Sequence, residues 1–350
     1  MTDIKRIENK LKNKDNLVRD DVLFLLESSD DTFLFENADR IRKEQMGDEV
    51  HLRGLFEFSN ICKRNCNYCG LRHDNKQQHR YRIKPDDVVE QALIIASYNI
   101  KTVVMQSGED GFFTTDLLAD IVRRIKKNAD VAVTLSVGEK TKDEYRTLFD
   151  AGADRYLLRH ETASESLYEK LHPDSLFKER IRCIEDLFDI GFQVGMGCMV
   201  GVPYQTVGDM VEDIMLLQKY QPDMIGIGPY ISGSEVPFKD FQSGMIETTL
   251  KMIALARIVC PQAHIPATTA VGTIDEFGRE KALRVGANVV MPNFTPQEYK
   301  IHYNIYPNKR CIDEQASKCN NCIRGMILRQ GRTVGKGYGH SLKHDREKGR

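Results

Sequence analysis

No run of about 18 apolar residues occurs anywhere in the chain, which excludes a membrane-spanning helix. Residues 1–20 also lack the apolar segment of a secretory signal, being dominated by Lys, Arg, Asp, Glu and Asn, so a cytoplasmic protein is expected. Neither sign of charge prevails. Fifty Lys and Arg stand against 51 Asp and Glu, scattered throughout for a net charge of −1, and nothing predicts a nucleic-acid or membrane surface. Nor is a second hydrophobic core evident. The 350 residues accommodate one α/β barrel of about 250 residues with extensions at both ends.

What the sequence does have is rhythm. From residue 51 onward, short β-rich runs alternate with helical patterns, the signature of βαβ units. Strands are predicted over 55–58, 102–106, 131–136, 155–160, 193–200, 224–228, 264–269 and 288–292. Helices are predicted over 86–98, 115–127, 141–150, 207–220, 248–259 and 276–284, with further helical segments reaching residue 187. Eight strands with intervening helices make a TIM-type (β/α)8 barrel over residues 51–292. Residues 1–50 read as two or three helices on its outside. Residues 293–350 read as a C-terminal extension with three cysteines, whose Gly-, Lys- and His-rich tail from 335 is expected to be loosely held.

Nine cysteines are many for a reducing compartment, and six of them fall into two clusters, a pattern of metal ligation rather than disulfides. Cys62, Cys66 and Cys69 directly follow the first predicted strand, at the rim where barrel enzymes place their chemistry. Three thiolates can bind three irons of a [4Fe–4S] cubane and leave the fourth without a protein ligand, whereas a ferredoxin-type carrier normally supplies four cysteines. An open coordination position marks a catalytic metal site. The competing readings are a zinc knuckle completed by His73 or His79, and a disulfide with a spare thiol.

Cys62-Lys63-Arg64-Asn65-Cys66-Asn67-Tyr68-Cys69 resembles the signature of the radical SAM superfamily, three cysteines with an aromatic residue before the last. The resemblance implies a [4Fe–4S] cluster that reductively cleaves S-adenosylmethionine to methionine and a 5′-deoxyadenosyl radical, with Tyr68 near the adenine. Ser107-Gly108-Glu109-Asp110 ends the second strand and resembles the superfamily's glycine–glycine–glutamate element for the methionine amino group, with Ser107 in the first glycine's place. Ser136 ends the third strand and Glu161 follows the fourth, where a hydroxyl or carboxylate can take ribose hydroxyls. Arg180 is placed to fork onto the methionine carboxylate. Each of these alone reads equally well as a solvated charge or a rim ion pair.

Longer stretches resemble the HydE family of [FeFe]-hydrogenase maturases. They include Phe56-Glu57-Phe58-Ser59-Asn60, Leu71-Arg72-His73-Asp74-Asn75, Asp154-Arg155-Tyr156-Leu157-Leu158-Arg159-His160-Glu161-Thr162 and Gly286-Ala287-Asn288-Val289-Val290-Met291-Pro292-Asn293. The resemblance spans most of residues 50–325. It implies a role in assembling the two-iron subcluster of the hydrogenase H-cluster, on a small iron complex carrying cysteine, carbonyl and cyanide. The implied partners are sister maturases and a low-potential electron donor.

Gln106, Thr134, Arg159, Thr268 and Thr269 lie on or at the ends of predicted strands and give a polar lumen suited to such an anion. Tyr303 and Tyr306 are placed to close the mouth from the C-terminal extension. For Thr134, β propensity is by itself a sufficient account; a buried Arg159 requires an anionic partner.

Cys311, Cys319 and Cys322 form the second cluster, read as an accessory [2Fe–2S] or [4Fe–4S] site of the kind some HydE-type chains carry. Zinc with His302 or Asp313 is the competing reading. Cys183, Cys198 and Cys260 read as small core residues. Three rivals remain at this level. A biotin synthase would place cysteines on several strands, yet the second and third carry none. A methylornithine synthase should need an acid for its substrate's amine. A non-enzymatic iron–sulfur carrier conflicts with the three-cysteine count.

Overall fold

The computed structural model describes residues 3–312 and 316–344, with backbone alone over 316–319. Six parallel strands, Gly54–Ser59, Thr102–Ser107, Ala132–Ser136, Arg155–Leu157, Gln193–Met196 and Met224–Ile225, pair in that order. The closing arc is irregular. Met224 bridges His264, Pro266 bridges Val289, and Leu55 bridges Asn293, so the chain completes a ring of the (β/α)8 kind. The seventh predicted strand is thus reduced to isolated bridges, because Pro266 offers no N–H to a ladder. Its last two residues turn away instead: Thr268 caps a short helix, Thr269–Ile274, and its hydroxyl accepts from the Val271 N–H. The fifth predicted strand divides at Gly197 into Gln193–Met196 and Met199–Val200, and the second piece pairs with Gly228–Pro229.

Strand alternation decides what faces inward. Along the first barrel strand, Arg53, Leu55 and Glu57 line the central cavity, while Phe56 and Phe58 join the outer core against the helices. The helices start where their caps dictate. Pro85 occupies the first turn of Pro85–Ser97, and Thr114, Thr141 and Thr206 accept from backbone N–H groups at the starts of Thr115–Asn128, Lys142–Asp150 and Val207–Tyr220.

Three helices, Asp3–Asn13, Arg19–Glu27 and Thr32–Met46, precede an additional strand, Glu49–Leu52, which pairs in parallel with Val289–Val290 and Thr333–Val334. The tail differs from the sequence expectation. Residues 335–344 are held against the N-terminal end of the barrel, because buried donors there need acceptors. Arg155 donates to Tyr338 O (2.8 Å), Thr102 to the same carbonyl (2.8 Å), and Ser341 N–H to Gln193 Oε1 (2.9 Å). Residues 345–350 lie outside the described residues. Among the described residues, no helix is long and apolar enough to cross a membrane.

Candidate active site

A cavity of about 390 Å³ occupies the barrel lumen and opens at the C-terminal rim. Cys62, Cys66, Cys69, Tyr68, Gly108, Glu109, Ser136, Glu161 and Arg180 all line it. So do Gln106, Thr134, Arg159, Thr268, Thr269, Tyr303 and Tyr306. Residues scattered from position 62 to position 306 therefore converge because βα loops and strand ends share one face of the fold.

The cysteine loop brings three thiols to the cavity in a setting that could hold a metal cluster. Burial pushes all three thiols up, Cys69 to about 12, so three thiolates cannot stand there without a cation. Backbone N–H groups nevertheless point at the sulfurs: Glu109 N–H lies 3.4 Å from Cys62 Sγ, Arg64 N–H also addresses Cys62, and Leu71 N–H addresses Cys69. Donors aimed at ligand sulfur belong to iron–sulfur sites. The zinc-knuckle alternative loses its fourth ligand, since His73 pairs with Asp74 (2.9 Å) and His79 packs against His302 (4.2 Å between rings). Gly108 is required by the loop itself: a Cβ there would meet Ile61 O at 2.3 Å and Cys62 Cβ at 2.8 Å.

The rim charges form a connected set. Arg64 donates to Glu109 (2.9 Å) and Glu139 (2.5 Å), and Arg180 donates to Glu139 (2.7 Å) and to Arg159 O (2.5 Å). Arg159 pairs with Glu161 through Nε (3.1 Å) and through Nη2. Burial alone would raise the Glu161 carboxyl, but Arg159 holds it below its ordinary value. Tyr68 is fixed by a residue absent from the sequence reading: its hydroxyl lies 3.0 Å from His172 Nε2. His172 Nδ1 faces Tyr168 O (3.2 Å), and burial lowers the ring to about 3, leaving Nε2 free to accept from Tyr68.

Deeper in the lumen, Gln106 donates to the Tyr303 hydroxyl (3.1 Å), and Thr134 Oγ1 is buried without a hydrogen-bond partner. Thr268 and Thr269 have structural partners of their own, Thr268 as the helix cap and Thr269 accepting from Arg279 (3.2 Å). The expectation that both sit on a strand is corrected by that turn. Two further residues here went unseen in the sequence. Lys309, from the C-terminal extension, forms an ion pair with Glu57 on the first strand, and both are buried. Asn293 (2.9 Å) and Thr295 (3.2 Å) also donate to Glu57 Oε2.

Residues 56–217 match the radical SAM superfamily. The chain is 49% identical over 306 residues to the [FeFe] hydrogenase maturase subunit HydE of Thermotoga maritima, covering 87% of this chain and 88% of that protein. The chain belongs to the HydE family of radical SAM enzymes. A 3-methylornithine synthase of Methanosarcina acetivorans is more distant, 25% identical over 85% of each chain. The solved methylornithine synthase PylB superposes with a TM-score of 0.81 at 20% identity, covering 93% of this chain and 96% of that one. The maturase HydG gives 0.80 at 22% identity, covering 95% and 76%. These two share the fold. Family membership makes the chain an enzyme and sets aside the carrier reading. It also implies a [4Fe–4S] cluster and S-adenosylmethionine as its cofactors.

The second cysteine cluster lies apart from this cavity. Cys322 is exposed on the helix Ala316–Arg329, and Cys311 is half-buried with a left-handed backbone (φ 63°). Cys319 starts the same helical turn as Cys322, but its side chain, like Asp313, lies outside the described residues.

Proposed function

We propose that this enzyme acts in the cytoplasm in maturation of the [FeFe]-hydrogenase H-cluster, cleaving S-adenosylmethionine at the barrel rim and directing the resulting chemistry into the lumen. Cys62, Cys66 and Cys69 would hold the [4Fe–4S] cluster. Bound there, the cluster supplies the electron that splits the sulfonium carbon–sulfur bond of S-adenosylmethionine into methionine and a 5′-deoxyadenosyl radical. The protein's own residues do the rest. Glu109 receives the methionine ammonium and Arg180 its carboxylate, each exchanging one partner within the Arg64–Glu109–Glu139–Arg180 set. Glu161 and Ser136 take the ribose, and Tyr68, steadied by His172, takes the adenine.

Below, Gln106, Thr134, Arg159, Thr268, Thr269, Tyr303 and Tyr306 surround a small iron complex with cysteine, carbonyl and cyanide ligands. The unpartnered Thr134 hydroxyl offers a donor to it, Arg159 can turn to it only by sharing the charge it now gives to Glu161, and the barrel wall excludes water from it. Sister maturases and a low-potential electron donor are the proposed partners. An accessory [2Fe–2S] or [4Fe–4S] cluster on Cys311, Cys319 and Cys322 would lie outside the catalytic cavity.

The observation that carries this reading is the convergence of the cysteine loop, the rim charges and the polar lumen on one cavity. Electron paramagnetic resonance of the reconstituted, reduced protein tests it. The expected result is a cluster signal that shifts on adding S-adenosylmethionine, and a second, unshifted signal that disappears in Cys319→Ala. A signal indifferent to S-adenosylmethionine overturns the site assignment.

A further inference from the structure

Behind Glu161, inside the barrel wall, lies a wholly buried pair that the site above does not use. His160 and Asp213 are both fully inaccessible, with His160 Nε2 lying 3.4 Å from Asp213 Oδ1. Cys198 joins them, and the three side chains offer ligand atoms within 4.8 Å of one another. A metal site is the first reading to test, and the ring's tautomer opposes it. Gly197 N–H donates to His160 Nδ1 (3.3 Å), so the ring proton resides on Nε2, the atom a metal would need.

The alternative follows the chain. Arg159 and Glu161 point into the cavity, and His160 between them points outward into the wall. Glu161 adopts a left-handed backbone (φ 66°), a conformation costly for a residue with a Cβ and held only where its surroundings dictate it. The surroundings are these. Glu161 N–H donates to Gly197 O (3.0 Å), and Met199 N–H donates to Glu161 O (3.0 Å). Gly197 is itself locked, since a Cβ there would lie 2.0 Å from Gly226 O. Asp213, carried on the helix Val207–Tyr220, accepts from Ala163 N–H (2.6 Å) through the same Oδ1 that faces His160. One carboxylate oxygen thereby binds residue 163 and faces residue 160 at 3.4 Å, where His160 Nε2 has no hydrogen-bond partner of its own, across the turn that bears Glu161.

We propose that His160 and Asp213 are positioning residues for S-adenosylmethionine, clamping the two sides of this turn so that the Glu161 carboxylate is presented to the ribose. The proposal rests on the reading of Glu161 as a ribose ligand, and the experiment separates the two. Reconstituted Asp213→Asn, His160→Asn, Glu161→Gln and the Asp213→Asn/Glu161→Gln double variant are titrated with S-adenosylmethionine, following the shift of the reduced-cluster signal. KM and kcat for 5′-deoxyadenosine formation are measured alongside. Asn at 160 keeps an acceptor for Gly197 N–H and removes the donor facing Asp213, so it carries the test if Asp213→Asn does not fold. Each single wall variant should weaken S-adenosylmethionine binding and raise KM about tenfold, with kcat within about twofold and cluster content unchanged. The double variant should be scarcely weaker than Glu161→Gln alone. If Glu161→Gln weakens binding while Asp213→Asn and His160→Asn do not, the clamp is wrong and the ribose ligand stands. Multiplied effects in the double variant also overturn the clamp. Unchanged binding in Glu161→Gln overturns the ribose reading, and the clamp falls with it.

Discussion

The two ends of the barrel handle buried charge in opposite ways. At the C-terminal rim, guanidinium groups meet carboxylates: Arg64 with Glu109 and Glu139, Arg180 with Glu139, Arg159 with Glu161. At the N-terminal end, guanidinium groups meet neutral acceptors. Arg155 donates to Gln193 Oε1 (3.2 Å), Thr102 Oγ1 (3.0 Å) and Tyr338 O, and Arg53 donates to Gly339 O (3.2 Å) and lies against Met224 Sδ (2.7 Å). Rim pairs can exchange one partner for a charged ligand without leaving a charge stranded. The lower end offers no such exchange, because its donors are tied to neutral side chains and to the backbone of the tail that seals it. One end is arranged for binding, the other for closure.

The largest expected effect separates the two ends outright. Cys62→Ala should abolish S-adenosylmethionine cleavage, measured as 5′-deoxyadenosine formed by reduced protein. The melting temperature of cluster-free protein should stay close to that of the parent, since the half-buried thiol lies at the rim of the lumen. Loss of fold in the cluster-free variant would mean that the rim loop is part of the barrel's structural core.

Lys309→Met sharpens the comparison from the middle of the barrel, where Lys309 and Glu57 are buried together. Removing one partner leaves a buried carboxylate without its cation, and the expected cost is about 3–5 kcal/mol in chemical denaturation. Glu57→Gln combined with Lys309→Met should recover most of it. Additive losses in the double variant would show that the two residues act separately.

This pair also marks where sequence reasoning stops. The cysteine spacing and the inward-facing positions of the strands are local patterns, of period 2 or of one loop, and they located the lining of the cavity. Lys309 and Glu57 are 252 positions apart, and nothing near either residue announces the other. His172 is similarly mute, because its role depends on Tyr68 arriving from another βα loop. The tail's composition suggested looseness, whereas its carbonyls are what Arg155 and Arg53 require. The end of the seventh strand was misread because Thr has β propensity, and its value as a helix cap outweighed that.

The smallest effect distinguishes the ends by pH. Burial, with Arg53 and Arg155 nearby, lowers His51 to about 4; burial and Arg155 likewise lower His340 to about 4, and His264 is also lowered. In the unfolded chain these rings take up protons near pH 6.5. Above that pH both states hold them neutral, and they favour neither. Below it the unfolded chain binds protons that the folded lower end refuses, so stability falls as pH drops from about 6.5 toward 4. By pH 5.5 each ring should cost about 1 kcal/mol, after allowance for the partial exposure of His51 and His340. At the rim, Glu161 is held low by Arg159, and its carboxyl in the unfolded chain takes up protons only as pH approaches 4.5, so it adds little slope between pH 7 and 5.5 and lowers stability only in more acid solution. His340→Asn retains an acceptor for Arg155 and Gln193 but cannot take the proton. Its melting temperature should fall less between pH 7 and 5.5 than that of the parent. An equal fall would place the pH sensitivity elsewhere than in the sealed end.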